Sequence, residues 1–216
     1  MSFSAITTIA YYNEIDPFAA QWLRELIDAG HIAPGHVDER NIEDVTPADL
    51  RGFTQCHLFA GIGVWSYALR QAGWPDDRPV WTGSCPCQPF SAAGQGKGFD
   101  DERHLWPAFH GLISQCRPDR LFGEQVAGKA GESWLDLVST DLEAADYACG
   151  AVTFPACSVG APHQRQRLYW MAHDDRQGRQ LIGTARQNDQ GQPRNDAAGC
   201  RSDHDLAHAD ATGPQG

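Results

Sequence analysis

Short apolar runs alternate with longer helical patterns through the first 172 residues, and this alternation constrains the chain more than any other feature. Strands are expected over Thr7–Tyr12, Cys56–Phe59, Val80–Gly83, Arg120–Glu124, Ala148–Phe154 and Leu168–Ala172. A further strand is expected from His36–Val37 or Asn41–Val45. Helical spacing covers Pro17–Ala29, Val64–Ala72, Leu105–Gln115 and Gly131–Ala144. Strands separated by helices of this length predict an α/β domain: a mainly parallel sheet with helices on both faces. In such sheets ligands gather at the carboxyl ends of the strands, where the strand order switches.

The alternation stops near Ala172. All seven tryptophans precede that point, and His173 to Gly216 contains no aromatic residue. A stretch so rich in Gln, Asp, Arg and Gly cannot bury enough apolar area to offset chain entropy. The organisation read here is one domain over 1–172 and a polar, disordered tail over 173–216. The net charge of −11 argues against broad gripping of a nucleic-acid backbone, though a local basic cleft is compatible with it. Seven scattered cysteines and an N-terminus without a cationic, apolar leader point to a reducing, cytoplasmic setting. No run approaches the roughly 20 apolar residues of a membrane span.

Several short motifs carry chemistry. HLFAGIG, 57–63, is a strand entering a glycine turn that opens a helix. Gly61 and Gly63 permit a tight turn and close approach of a ligand to a helix N-terminus; plain steric need explains them equally well. In AYYNEID, 10–16, Glu14 ends a strand where α/β nucleotide folds hold ribose hydroxyls, and Asp16 suits a helix cap. In DERNIEDV, 38–45, Asn41 or a neighbour could reach an adenine ring, with a solvated loop as the default reading. FGEQV, 122–126, places Glu124 at a strand end in an apolar stretch, a setting that lets a carboxyl donate a proton near neutrality. In APHQRQRLYWMA, 161–172, Arg165 and Arg167 precede a strand and point the same way, fit to hold a phosphate or a carboxylate.

GSCPCQPFS, 83–91, sets Cys85 and Cys87 two apart between prolines. Zinc would need about four ligands, and no second pair matches this one. A disulfide across one residue is geometrically poor. A single reactive thiol on a stiff loop after a strand fits best. Cys200, His204 and His208 also have ligand spacing, but three ligands in a polar tail make a poor metal site, and no metal is expected.

Together these segments resemble the DNA cytosine-5 methyltransferase family. PCQPFS is similar to its nucleophile motif, FAGIG to its S-adenosylmethionine (AdoMet) turn, and EQV to its Glu-Asn-Val motif. DDERHLW, 100–106, resembles the segment after the nucleophile loop, and QRQR the paired-arginine motif. The resemblance covers about residues 6–172 and implies a Rossmann-like AdoMet-dependent methyltransferase domain. It implies that Cys87 is the nucleophile and Cys85 a packing residue. Glu124 would hydrogen-bond the base, and Arg165 and Arg167 would assist at the base or its phosphate. It implies cofactor contacts from Phe59, Gly61, Gly63, Glu14, Ile15, Asn41, Ile42, Pro86 and Leu105. The implied partners are AdoMet and DNA with its cytosine flipped from the stack, in a restriction-modification or phage setting.

The sequence departs from the family pattern in three ways. The cofactor-binding unit of residues 1–50 stands ahead of the glycine turn rather than behind it. Substitutions put Gln125, His163 and Asn41 where the family has Asn, Gln and Asp. No target-recognition domain or closing C-terminal motif follows residue 172, so a second chain is expected to supply recognition. Methylation of RNA cytosine and a non-catalytic binding module are the alternative readings. The rearranged order also leaves open on which sheet face the helix 64–72 lies.

Overall fold

A computed structural model describes residues 9–86 and 105–176. The start of the expected strand Thr7–Tyr12, Cys87 and the residues that follow it to His104, and the expected tail beyond Arg176 lie outside the described residues. Seven strands form one sheet: β1 (Ala10–Asn13), β2 (Gly35–Asp38), β3 (Gln55–Leu58), β4 (Val80–Gly83), β5 (Arg120–Val126), β6 (Tyr147–Pro155) and β7 (Gln166–Asp174). Their order is β2-β1-β3-β4-β5-β7-β6. The first five are parallel, and β7 runs antiparallel to both its neighbours.

Every residue of β1, β3 and β4 is buried, as expected for parallel strands covered on both faces. Neighbouring side chains point to opposite faces, so Tyr11 and Tyr12 define the two sides. The Tyr12 face carries α1 (Pro17–Asp28), whose Leu23 packs with Ala10, Tyr12 and Ile32. Asp16 caps α1 by accepting from the Ala19 N–H at 2.8 Å, the role its sequence position predicts. The Tyr11 face holds the larger core, with α3 (Trp106–Cys116) contributing Phe109, Leu112 and Ile113. There α4 (Lys129–Ala144) adds the i, i+4, i+8 stripe Trp134, Val138 and Leu142.

Of the two runs offered for a further strand, the first, His36–Val37, lies in β2 and the second does not form one. Residues 42–44 form a 3-10 turn because the Asn41 side chain accepts from the Glu43 N–H and starts a turn there, while the edge strand forms at Gly35–Asp38. The Tyr11 hydroxyl and the Arg40 guanidinium both close on Asp38, at 2.5 and 2.6 Å, and lock this corner. Burial alone would raise the Asp38 carboxyl, but Arg40 and Tyr11 outweigh it and hold it well below the usual range.

The face of α2 (Val64–Gln71) is now defined. Ser66 Oγ lies 2.9 Å from the Tyr12 hydroxyl and accepts from the Ala33 N–H at 3.1 Å. So α2 shares the Tyr12 face with α1. The connection β1–α1–β2 steps outward on that face. The return from β2 to β3 crosses on the Tyr11 face, where Ile42 is buried, and β4–α3–β5 steps onward there. These three share one hand. β3–α2–β4 steps in the same direction as β4–α3–β5 but on the opposite face, so its hand is reversed. Parallel crossovers keep one hand in about 98% of cases. The reversal follows from the rearranged order: the helix after the glycine turn stays beside α1 yet must lead directly into β4.

Candidate active site

The site assembles at the carboxyl ends of β1, β3, β4 and β5. Glu14 leaves β1 and turns its carboxylate onto the glycine turn after β3. One oxygen accepts from the Gly61 N–H at 2.6 Å and the other from the Asp16 N–H at 2.9 Å. The turn itself is wound tightly. Phe59, Gly61 and Gly63 have φ of 53, 55 and 78°. Gly63 caps α2 without a side-chain bond, and a Cβ there would also lie 3.0 Å from Leu23. The left-handed Phe59 is strained, and such strain persists where surroundings impose it, often at ligand sites. Its ring packs edge-on against Phe109 at 5.9 Å.

Across the opening stands β5. Glu124 Oε1 lies 2.5 Å from the Arg167 Nε, an ion pair joining β5 to β7. The apolar setting expected for Glu124 is therefore replaced by a direct cation contact. Arg165 does not share the strand position of Arg167. Strand β7 begins at Gln166, so Arg165 sits in the preceding loop, exposed. Next along β5, Gln125 is 3% exposed and its Nε2 donates to the Cys85 carbonyl at 3.2 Å. The longer amide thus still supports the loop that leaves β4. Cys85 is buried in the main core, consistent with a packing role.

A cavity of about 590 Å³ joins these parts. Phe59, Gly61 and Ile62 line it from the turn, and Glu124, Arg165 and Arg167 from the far side. Its lining also includes Trp65, Ser84, Phe154 and Tyr169, which sequence reasoning did not single out. The one signal available was an aromatic residue two positions after Gly63. Other expected cofactor residues stand apart from this cavity. Asn41 spends its amide on Glu43, at 3.0 Å, and Ile42 is only 3% exposed in the core. Ile15 is 62% exposed beside Glu14, Pro86 is exposed after Cys85, and Leu105 caps α3. Cys87 lies outside the described residues. Among the described residues no group of three or more His, Cys, Asp or Glu could hold a metal, and no helix is long and apolar enough to cross a membrane.

A sequence model of the C-5 cytosine-specific DNA methylases matches residues 74–199, more than half of the chain. The chain belongs to that family. The matched span begins after the glycine turn, so the β1–α1–β2 unit lies outside it. Among relatives, the Type II methyltransferase M.AgeI of Thalassovita gelatinovora is 33% identical over 99 residues, 44% of this chain and 23% of the relative. The Type II methyltransferase M.HhaI of Haemophilus parahaemolyticus is 30% identical over 97 residues, 43% of this chain and 30% of the relative. The matches span about a quarter of the length of such methylases. The crystal structure of a Spodoptera frugiperda DNMT2 mutant shares the fold, with a TM-score of 0.52 and 18% identity over 77% of this chain and 42% of that one. The shared architecture is that of AdoMet-dependent methyltransferases, as the sequence predicted.

Proposed function

We propose that this methylase transfers a methyl group from AdoMet to C5 of cytosine in DNA through a covalent intermediate on Cys87. The observation that carries the reading is the single cavity shared by the glycine turn, Glu124, Arg165 and Arg167. These residues come from distant parts of a rearranged chain, yet they face one another across a space large enough for a base.

The turn suits the cofactor. The Glu14 carboxylate keeps lone pairs beyond its two backbone bonds, suited to ribose hydroxyls. The first N–H groups of α2 have no side-chain cap. Bound there, AdoMet would supply an electrophilic methyl group. On the protein side, the Cys87 thiolate adds to C6 of the flipped cytosine and breaks the ring's conjugation. Glu124 donates a proton to N3 and accepts from the exocyclic amine as charge builds on the ring. Arg167, already paired with Glu124, holds that carboxylate in place, and Arg165 at the rim takes a phosphate or the base edge. Once C5 carries the methyl group, loss of its proton and departure of the Cys87 thiolate restore the aromatic ring.

The proposal extends to partners: a flipped cytosine in DNA, with target reading supplied by a second chain. The test is a covalent trap. A duplex bearing 5-fluorocytosine cannot lose its C5 substituent, so with AdoMet it should form a stable adduct with the chain. Cys87→Ser should abolish the adduct and Cys85→Ser should leave it. An adduct that persists in Cys87→Ser, or none with the natural sequence either alone or with a second, target-reading chain, rejects the reading.

A further inference from the structure

We propose that Trp65 is a positioning residue for the nucleophile loop, acting through Ser84; this rests on the function proposed above. Trp65 is the second residue of α2, immediately after the glycine turn. Its indole Nε1–H donates to Ser84 Oγ at 3.0 Å. Its ring stacks on Phe122 at 6.1 Å and meets Tyr169 edge-on at 6.3 Å. Ser84 follows directly on β4, and both residues line the cavity that contains Glu124.

The position of this bond gives it leverage. Gln125 holds the Cys85 carbonyl from β5, and Trp65 holds the Ser84 hydroxyl from α2. Two consecutive residues are therefore gripped from different elements just before Pro86. Proline fixes its own φ and restricts the residue before it to extended conformations. Few soft torsions remain between Ser84 and Pro86. An attitude set at Ser84 is thereby carried to the residue before the proposed nucleophile instead of being lost in chain freedom. Trp65 also ties the loop to the helix that begins at the cofactor turn, so one side chain spans both halves of the site. A residue that only fills space would show the ring contacts without the directed bond to the loop.

The experiment measures the rate of adduct formation on 5-fluorocytosine duplex with AdoMet, using the full chain. Trp65→Phe keeps an aromatic ring and removes the donor. It should slow the adduct about tenfold, because small misplacements of reacting groups are costly. AdoMet affinity by calorimetry and duplex affinity should stay unchanged. Ser84→Ala should give the same defect, and Ser84→Thr, which keeps the acceptor, should restore the natural rate. The double variant Trp65→Phe with Ser84→Ala should be no slower than either single one. An unchanged rate in Ser84→Ala overturns the proposal, as do defects that multiply in the double variant or a slowing matched by lost AdoMet affinity. Should Trp65→Phe fail to fold, the Ser84 pair alone decides. No adduct with the natural sequence, alone or with a second, target-reading chain, would reject the covalent reading itself; a natural-rate adduct in the variants rejects only the role of Trp65.

Discussion

The two crossovers on either side of β4 make the same step along the sheet and end on opposite faces. α3 takes the ordinary hand and is bound by apolar packing: Trp106, Phe109, Leu112 and Ile113 all enter the main core. α2 takes the reversed hand and adds polar contacts to the ring packing of Trp65. Ser66 grips Tyr12 and Ala33, and the Arg70 guanidinium donates to the Gly30 carbonyl at 2.8 Å and pairs with Asp76 at 2.5 Å. The connection that follows is stiffened by Arg78 lying over the Trp74 ring at 3.8 Å. The difference teaches that site geometry outranks the connection rule here. The glycine turn must face Glu14, so the helix after it stays beside α1 whatever strand comes next.

If apolar burial secures α3, truncating its centre should have the largest effect. Phe109 is fully buried, touches Phe59 and Trp106, and lies under Gly83, where a Cβ would meet its ring at 2.4 Å. Phe109→Ala should cost about 3–5 kcal/mol in urea unfolding. A loss below about 1 kcal/mol would mean the site relaxes and the contrast with α2 is wrong.

The polar clamp of α2 should matter less but measurably. Ser66→Ala leaves the buried Ala33 N–H without its acceptor, while the Tyr12 hydroxyl keeps the Ala33 carbonyl at 2.7 Å. The expected loss is about 1–3 kcal/mol by the same measurement. An unaffected midpoint would show that α2 keeps its unusual face without this clamp.

The sequence carried the elements better than their arrangement. β4 was predicted to the residue, because Val80–Gly83 is a short apolar run between Pro79 and Ser84. α4 was found within two residues of its start from its apolar spacing. Strand β7 extends two residues beyond the predicted run at each end, because Gln166, Arg167, His173 and Asp174 are polar and do not read as apolar, and β6 adds Tyr147 and Pro155. The turn at 42–44 depended on a local side-chain bond that propensity does not show. At the candidate site, Glu14, Gly61, Glu124 and both arginines were legible as motifs. The pairing of Glu124 with Arg167 was not, because period two groups Arg165 with Arg167 without saying where the strand begins. Trp65 and Ser84 were invisible for a similar reason: their bond joins segments that only the fold brings together.

The smallest expected effect separates the two faces of the same strands. Beneath α3, β3 and β4 present Cys56 and Trp81. On the α2 side they present His57 and Thr82. His57 Nδ1 lies 2.8 Å from Thr82 Oγ1, its Nε2 is 3.2 Å from Gln55 Oε1, and its ring stacks on Tyr12 at 5.0 Å. Burial pushes the His57 imidazole down from 6.5 to about 3. The folded protein therefore keeps this ring neutral where the unfolded chain takes up a proton. That stability is fully present above pH 6.5 and is lost as the pH falls toward 3, by about 1 kcal/mol per pH unit. Unfolding midpoints between pH 7 and 5.5 should decline, before most carboxylates titrate. His57→Gln should flatten the decline while Cys56→Ala, on the α3 side, should leave its slope unchanged. An equal flattening by Cys56→Ala, or a decline that persists in His57→Gln, would remove acid sensitivity from the list of differences between the faces.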